Sequence, residues 1–247
     1  MVDYFPIRLH FEDKDVFRGD KRYIVTLEPH SVLPVGLPGC FLPNRIQRCR
    51  LPPALQPVYS CVSSAVFALP VLGTMWYWWG ARTVDKPTVT RILRSGANVA
   101  LTPGGVKECL YMAPGKETLY MRRRLGLAKL ALTTGAAVVP VFAFNQTKTM
   151  GFVRPGPPLV PQCVVTAVSR SLGFVPVLMR SPTGWPAPGR VAVDVVVGRP
   201  VEVKGVVADP TERQLRAYLE EVVREMTALF ERHKAEHGCA DLKLEIL

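Results

Sequence analysis

Residues 122–144 read RRRLGLAKLALTTGAAVVPVFAF. Leu125, Leu127, Ala128, Leu130, Ala131 and Leu132 fall at helical spacing, and Gly135 supplies the stop. The run AAVVPVFAF that follows is apolar throughout and rich in Val, as a strand covered on both faces must be. Working outward, the same pattern recurs. RYIVTLEPH (22–30) and NVALTPGG (98–105) read as strands, and residues 83–95 between them predict a short helix stopped by Gly96. RVAVDVVVGRPVEV (190–203) predicts another strand with a turn at Gly198. Pro210 and Thr211 then open a long amphipathic helix over about 211–236, with Leu215, Leu219, Val222, Val223, Met226, Leu229 and Phe230 on one face and Gly238 beyond its end. Alternating strands and helices predict one α/β domain over 1–247, a sandwich around a mixed, mostly parallel sheet. Active groups in such folds gather where strands end. The ends to inspect are EPHS (28–31) and TPGGVKE (102–108).

The 247 residues suffice for one large core, and no spacer or repeat divides them. The chain is 48% hydrophobic with a mean hydropathy of +0.15, which points to contact with lipid or an apolar substrate. A net charge of +11 and a pI of about 9.6 suit a polyanionic partner: nucleic acid, anionic headgroups or a phosphate-bearing ligand. Between Glu117 and Asp194 lies no acidic residue but nine basic ones, among them Arg122, Arg123, Arg124 and Lys129. They form either a solvated basic face or a surface for phosphates. The six cysteines show no paired spacing, as in a reducing compartment. The opening MVDYFPIRLHFED lacks the apolar core of a signal peptide. Residues 58–80 hold 23 residues without a charge. Three readings stay open for them: a buried core segment, a partly embedded membrane segment, or a span interrupted by Pro70 and Gly73.

Of the four histidines, His30 stands at a strand end beside Pro29. A neutral imidazole is a natural general base for a hydroxyl, and a carboxylate on its other nitrogen would orient it. Glu28, two residues away, and Glu108, after the glycine turn, compete for that role. Ser31 lacks the elbow of a covalent nucleophile and reads as structural. Gly104 and Gly105 offer backbone N–H groups to a phosphate or an oxyanion. His233 and His237, at i and i+4 on the last helix, would make half a metal site. With no further ligand evident, they read as a solvated helix end, and no metal is expected. His10 sits in a polar opening segment and carries no assignment.

These blocks resemble the type 2 diacylglycerol acyltransferases of plants and algae. The resemblance runs in order through residues 4–36, which include EPHS where animal members have HPHG. It continues through PGGVKECLYM (103–112), RRRLGLAKLALTTGAAVVPVFAFNQT (122–147), VVVGRPVEV (195–203) and the last 19 residues. It implies a glycerolipid-acyltransferase-like fold and an acyl-CoA-dependent enzyme that makes triacylglycerol from diacylglycerol. It also implies a place on the cytosolic face of the endoplasmic reticulum membrane and on lipid droplets. No cofactor is implied beyond acyl-CoA as co-substrate.

The resemblance makes His30 the catalytic residue and puts Glu108 ahead of Glu28 as its orienting partner, because animal members have His at the position of Glu28. Pro29, Ser31, Gly104 and Gly105 would line the substrate site. Arg122, Arg123, Arg124 and Lys129 would grip the CoA phosphates or face a membrane. Two departures stand out. The family normally carries a hydrophobic hairpin before the YFP block, and this sequence starts just before that block: either the chain is truncated, or membrane contact falls to residues 58–80 and lateral surfaces. Asn145 stands where the family more often has glycine. Monoacylglycerol or a long-chain alcohol is an alternative acceptor, and a non-catalytic lipid-surface protein is an alternative of another class. Nucleic acid is disfavoured because aromatics do not interleave with basic residues. Oligomeric state stays open.

Overall fold

A computed structural model describes residues 4–42, 51–113, 115–153, 178–180 and 189–247, with short pieces between 160 and 168. The strands, in chain order, are β1 Ile7–Phe11, β2 Tyr23–Glu28, β3 Val58–Val62, β4 Arg82–Thr83, β5 Asn98–Leu101, β6 Lys116–Leu119, β7 Ala137–Phe144, β8 Gly151–Val153, β9 Leu178–Arg180, β10 Val193–Val197 and β11 Lys243–Ile246. The helices are α1 Gly36–Cys40, α2 Ser64–Phe67, α3 Pro70–Trp78, α4 Lys86–Arg94, α5 Leu125–Thr134 and α6 Glu212–His233. The main sheet has seven strands in the order β1-β10-β7-β2-β5-β3-β4. Its pairings are parallel except β10 with β7. The mixed, mostly parallel α/β architecture expected from the sequence is therefore present.

Every residue of the central strands β2 and β7 is buried, which explains their continuous apolar character. Side chains alternate between two cores. Ile24, Val138, Phe142 and Phe144 pack toward the helical layer with α4, α5 and α6. Val25, Leu27, Val139 and Val141 face a second layer built from the N-terminal segment and α1. Helix α6 presses Val222, Met226, Leu229 and Phe230 into the first core. Truncating a side chain as buried as Phe230 to Ala costs about 3–5 kcal/mol.

The helix ends follow their sequence signals. Asp85 caps α4 by accepting the Thr88 amide, and Gly135 ends α5 at φ 73°. Thr211 and Gln214 form a reciprocal capping box on α6. That helix ends at His233, earlier than expected, and turns carry the chain on to Gly238.

In the main sheet β1, β3 and β4 escape the sequence reading, as do the small pairs β6–β11 and β8–β9. The opening segment forms β1, paired with β10 at the sheet edge. Residues 58–62 form β3, an inner strand beside β5. The uncharged stretch 58–80 is thus a strand followed by two short helices, and none of the described helices is long and apolar enough to cross a membrane. The proline-rich stretch 154–189 lies mostly outside the described residues.

Candidate active site

β2 and β5 run parallel in the register Ile24 to Val99 and Thr26 to Leu101, so their carboxyl ends emerge side by side. This places EPHS beside TPGG. The Glu28–Pro29 peptide is cis, and Ser31 follows in the left-handed region at φ 58°. The chain past β2 is then pinned by a residue from another strand. Gln146, fully buried after β7, donates Nε2–H to the Pro29 carbonyl at 2.5 Å and accepts the Gly36 N–H at 2.8 Å. Asn145 enters that turn at φ 64°, the conformation that glycine or asparagine adopts most readily.

His30 is half-buried. Its Nδ1 lies 2.7 Å from the Ser31 carbonyl oxygen, a bond that only an Nδ1–H can make. The lone pair therefore sits on Nε2; the ring's hydrogen-bond contacts among the described residues, to the Ser31 carbonyl and Cys109, are both at Nδ1. Burial holds the imidazole pKa below its ordinary value of 6.5, with the Ser31 bond opposing part of the effect. The ring is neutral near pH 7 and presents a free base.

Neither carboxylate touches that ring. Glu108 accepts the backbone N–H of His30 on Oε2 and that of Tyr120 on Oε1, both at 2.8 Å. It fixes where His30 sits, and the Ser31 carbonyl fixes how the ring points. The expected carboxylate–imidazole pair is thus replaced by a carboxylate–backbone pair. Glu28 accepts the Gly104 N–H on Oε1 at 2.9 Å, and its Oε2 is buried without a partner. Burial raises the pKa of both carboxyls, and the charge of Glu108 raises Glu28 further. Two amide donors stabilise Glu108 as the anion, which leaves the proton on Glu28.

Gly104 is required by this packing, since a Cβ there would lie 1.6 Å from Oε1 of Glu108. Its N–H is already taken by Glu28, so it is not free for an oxyanion. The N–H of Gly105, at φ 57°, has no acceptor among the described residues. Cys109 lies 4.0 Å from Nδ1 of His30, but burial and then the Glu108 charge push its thiol up to about 12. It is a packed thiol rather than a nucleophile. Ser31 is buried, with an unpartnered hydroxyl and a carbonyl serving His30.

The basic residues separate. Arg124 donates to the Gly104 carbonyl and lies over the Tyr120 ring, 5.0 Å from its centroid. Lys107 covers the same ring at 4.9 Å. Burial alone would raise the Tyr120 pKa, but Lys107 and Arg123 outweigh it and hold the phenol below its ordinary value. Lys107, Arg123 and Arg124 therefore form a cationic rim beside the site. Arg122 instead pairs with Glu220 of α6 at 2.6 Å, and Lys129 stands 3.8 Å from Asp209. The four residues expected to grip phosphates do not converge.

Sequence reasoning missed Gln146 and Lys107. The signal for Gln146 was an amide directly after an eight-residue buried strand. Its position relative to Pro29 depends on the pairing of β7 with β2.

The diacylglycerol acyltransferase family model matches residues 1–247. Among curated relatives, diacylglycerol O-acyltransferase 2 of Dictyostelium discoideum is 30% identical over 247 residues, covering 97% of this chain and 73% of that protein. 2-Acylglycerol O-acyltransferase 1 of Bos taurus is 32% identical over 245 residues, covering 96% and 72%. Among solved structures, the 1-acyl-sn-glycerophosphate (LPA) acyltransferase PlsC of Thermotoga maritima shares the fold at a TM-score of 0.50 and 15% identity, over 92% of this chain and 73% of that one. The family model matches along the whole sequence, relatives at 30% and 32% identity match over nearly all of it, and the chain belongs to the diacylglycerol acyltransferase family.

Proposed function

We propose that the protein transfers a fatty acyl group from acyl-CoA to the free hydroxyl of diacylglycerol, forming triacylglycerol, with His30 as general base. The carrying observation is the ring itself: Nδ1–H is held by the Ser31 carbonyl, burial keeps the imidazole neutral, and the hydrogen bonds among the described residues leave Nε2 available. Nε2 takes the hydroxyl proton as the alcohol oxygen attacks the thioester carbonyl. The tetrahedral intermediate collapses by expelling the CoA thiolate, which recovers the proton. The N–H of Gly105 is the candidate donor to the oxyanion, a role worth roughly 3–4 kcal/mol. Lys107 and Arg123 of the cationic rim, with Arg124 behind them, are the candidate contacts for CoA phosphates.

Membrane attachment rests on the hairpin α2–α3. Leu69, Val71, Tyr77 and Trp78 are exposed there, Val71 by 75% and Trp78 by 71%. The hairpin follows β3, which runs parallel to β5, so it leaves the sheet at the edge that carries His30. A lipid surface against α3 would deliver an apolar acceptor to that edge. The proposed setting is the cytosolic face of the endoplasmic reticulum and the lipid droplet.

A second reading, acylation of monoacylglycerol, is favoured by the 2-acylglycerol O-acyltransferase relative at 32% identity. Expression in a yeast that lacks triacylglycerol synthesis, beside a His30→Ala control, tests the proposal. Triacylglycerol from the first and none from the second supports it, and full activity in His30→Ala overturns it. Purified protein offered a panel of acceptors separates the two readings.

A further inference from the structure

The turn after α6 carries a second constellation, assembled against β1 and β10 and separate from His30. Its centre is Glu236, whose Oε1 contacts Nδ1 of His233 and lies 3.5 Å from Nε2 of His237. The inner atoms of these three residues all lie within 4.8 Å of one another. The outer nitrogen of each ring faces a further carboxylate. His233 Nε2 is 2.8 Å from Glu12 Oε1, and His237 Nδ1 is 3.5 Å from Asp194 Oδ2. Those carboxylates are held in turn, Glu12 by Arg232 at 2.7 Å and Asp194 by Arg8 at 2.7 Å and His10 at 3.0 Å. The His237 ring stacks on Phe144 at 4.8 Å, and its Nε2 is buried without a hydrogen-bond partner among the described residues. An open concavity of about 540 Å³ leads to the group.

His237 Nε2 meets Glu236 at 3.5 Å without forming a hydrogen bond, so this buried nitrogen still has its lone pair or proton to place. A metal-binding imidazole characteristically gives its other N–H to a carboxylate, which fixes the tautomer and the ring. His233 has this arrangement through Glu12 at 2.8 Å, His237 Nδ1 approaches Asp194 at 3.5 Å, and the inner nitrogens of both turn toward one carboxylate. We infer that His233 through Nδ1, His237 through Nε2 and Glu236 through a carboxylate oxygen form a binding site for a divalent transition ion of the Zn²⁺ class. Two imidazoles and one carboxylate suit Zn²⁺ or Co²⁺ and do not suit Mg²⁺ or Ca²⁺, which take oxygen sets. The ion displaces any proton shared between His233 and Glu236. It would also brace the corner beside the first site. Asn145 donates to the His237 carbonyl at 3.3 Å, and its neighbour Gln146 holds Pro29.

The test uses the untagged full-length chain, stripped with chelator and titrated with Zn²⁺ by calorimetry and with Co²⁺ by visible absorption. One ion per chain is expected, with the ligand-field bands of a four-coordinate Co²⁺ site. His237→Phe keeps the ring against Phe144 but removes the ligand, and Glu236→Gln alters a side chain that is 58% exposed. Each variant should lose about tenfold or more in affinity, and Glu12→Gln, which removes the outer acceptor of His233, about 10–100-fold. Unchanged melting of the metal-free variants would show that binding alone was affected. If His237→Phe fails to fold, Glu236→Gln decides. Absence of stoichiometric binding, or binding that these substitutions leave unchanged (as cysteine ligation would be), overturns the inference.

Discussion

Glu108 holds His30 by its main chain. Oε2 accepts the His30 amide at 2.8 Å across 78 residues of sequence, while Oε1 accepts the Tyr120 amide. Both oxygens are therefore needed as acceptors. Glu108→Gln turns one into an NH₂ donor facing a backbone N–H. Hydrogen bonds to charged groups contribute about 1.5–3 kcal/mol, so acyltransferase activity should fall about 10–100-fold. Glu28 carries the proton of the pair, and Gln mimics a neutral carboxyl. Glu28→Gln should therefore remain within about threefold of the parent, a change below 1 kcal/mol. Activity assays on both variants, normalised to folded protein, check the assignment, and the reverse ranking would place the proton on Glu108.

The same proton makes stability depend on pH. Burial and the Glu108 charge raise Glu28 well above 4.5, so between those two values the folded state binds a proton that the unfolded chain has lost. Stability from this group is complete below pH 4.5 and declines as pH rises toward the folded pKa. Denaturant melts at several pH values should show Glu28→Gln losing less stability than the parent on the alkaline side. An identical slope in both would refute the neutral Glu28.

His30 has the opposite sign. Its folded pKa lies below 6.5, so the folded state resists a proton that the unfolded chain accepts. As a base it works when neutral. The acid limb of kcat/KM should therefore fall below pH 6.5, and its midpoint should vanish from the residual activity of His30→Ala. A limb centred above 6.5 would contradict a buried, carbonyl-bonded imidazole.

Gly104 is a packing requirement. A methyl group there would lie 1.6 Å from the Glu108 carboxylate and force it off the His30 and Tyr120 amides. Gly104→Ala should cost about 1–3 kcal/mol in stability and reduce activity at least as much as Glu108→Gln. Circular dichroism melts paired with activity assays test this. Wild-type activity in Gly104→Ala would show that Glu108 need not stay where it is.

The sequence announced what local chemistry controls. Gly96, Gly135 and Thr211 marked helix ends through positive φ or a side-chain cap, and the Val-rich runs marked two-sided strands. β3 was illegible because VYSCV runs without a break into the apolar residues of α2 and α3, and only its pairings with β5 and β4 show where the strand runs and stops. β1 was masked by its edge position, where Arg8 and His10 alternate outward. At the site, the neighbourhood of His30, Glu28 and Glu108 was readable from strand ends. Their bonds were not, because the direction of Glu108 is set by the Tyr120 amide and the space over Gly104. The His233–His237 pair read as a solvated helix end for the same reason. Glu236 was near in sequence, but Glu12 and Asp194 arrive on β1 and β10.

Gln146 tests whether the EPHS loop needs its outside support. Gln146→Ala would leave the Pro29 carbonyl and the Gly36 N–H buried and unpaired, at about 1–3 kcal/mol each. Melting should drop by about 4–24 °C, and activity should fall further than that loss alone explains, because Pro29 adjoins His30. Melting and kinetics at a temperature where the variant is folded separate the two effects. Normal kinetics in the folded variant would mean that the loop holds its shape unaided.

The exposed face of α3 gives the last test. Val71 and Trp78 are 75% and 71% exposed and lie outside both cores, so charges there should leave the cores in place, as a melt of the variant checks. If this face rests on lipid, burying glutamates in the interface is costly. The double variant Val71→Glu, Trp78→Glu should lose flotation with liposomes and lose activity toward vesicle-borne diacylglycerol by about tenfold, a change near 1.4 kcal/mol. Activity toward a short-chain acceptor dispersed in detergent should persist, because His30 and Glu108 are untouched. A variant that floats like the parent would move the membrane contact elsewhere on the protein.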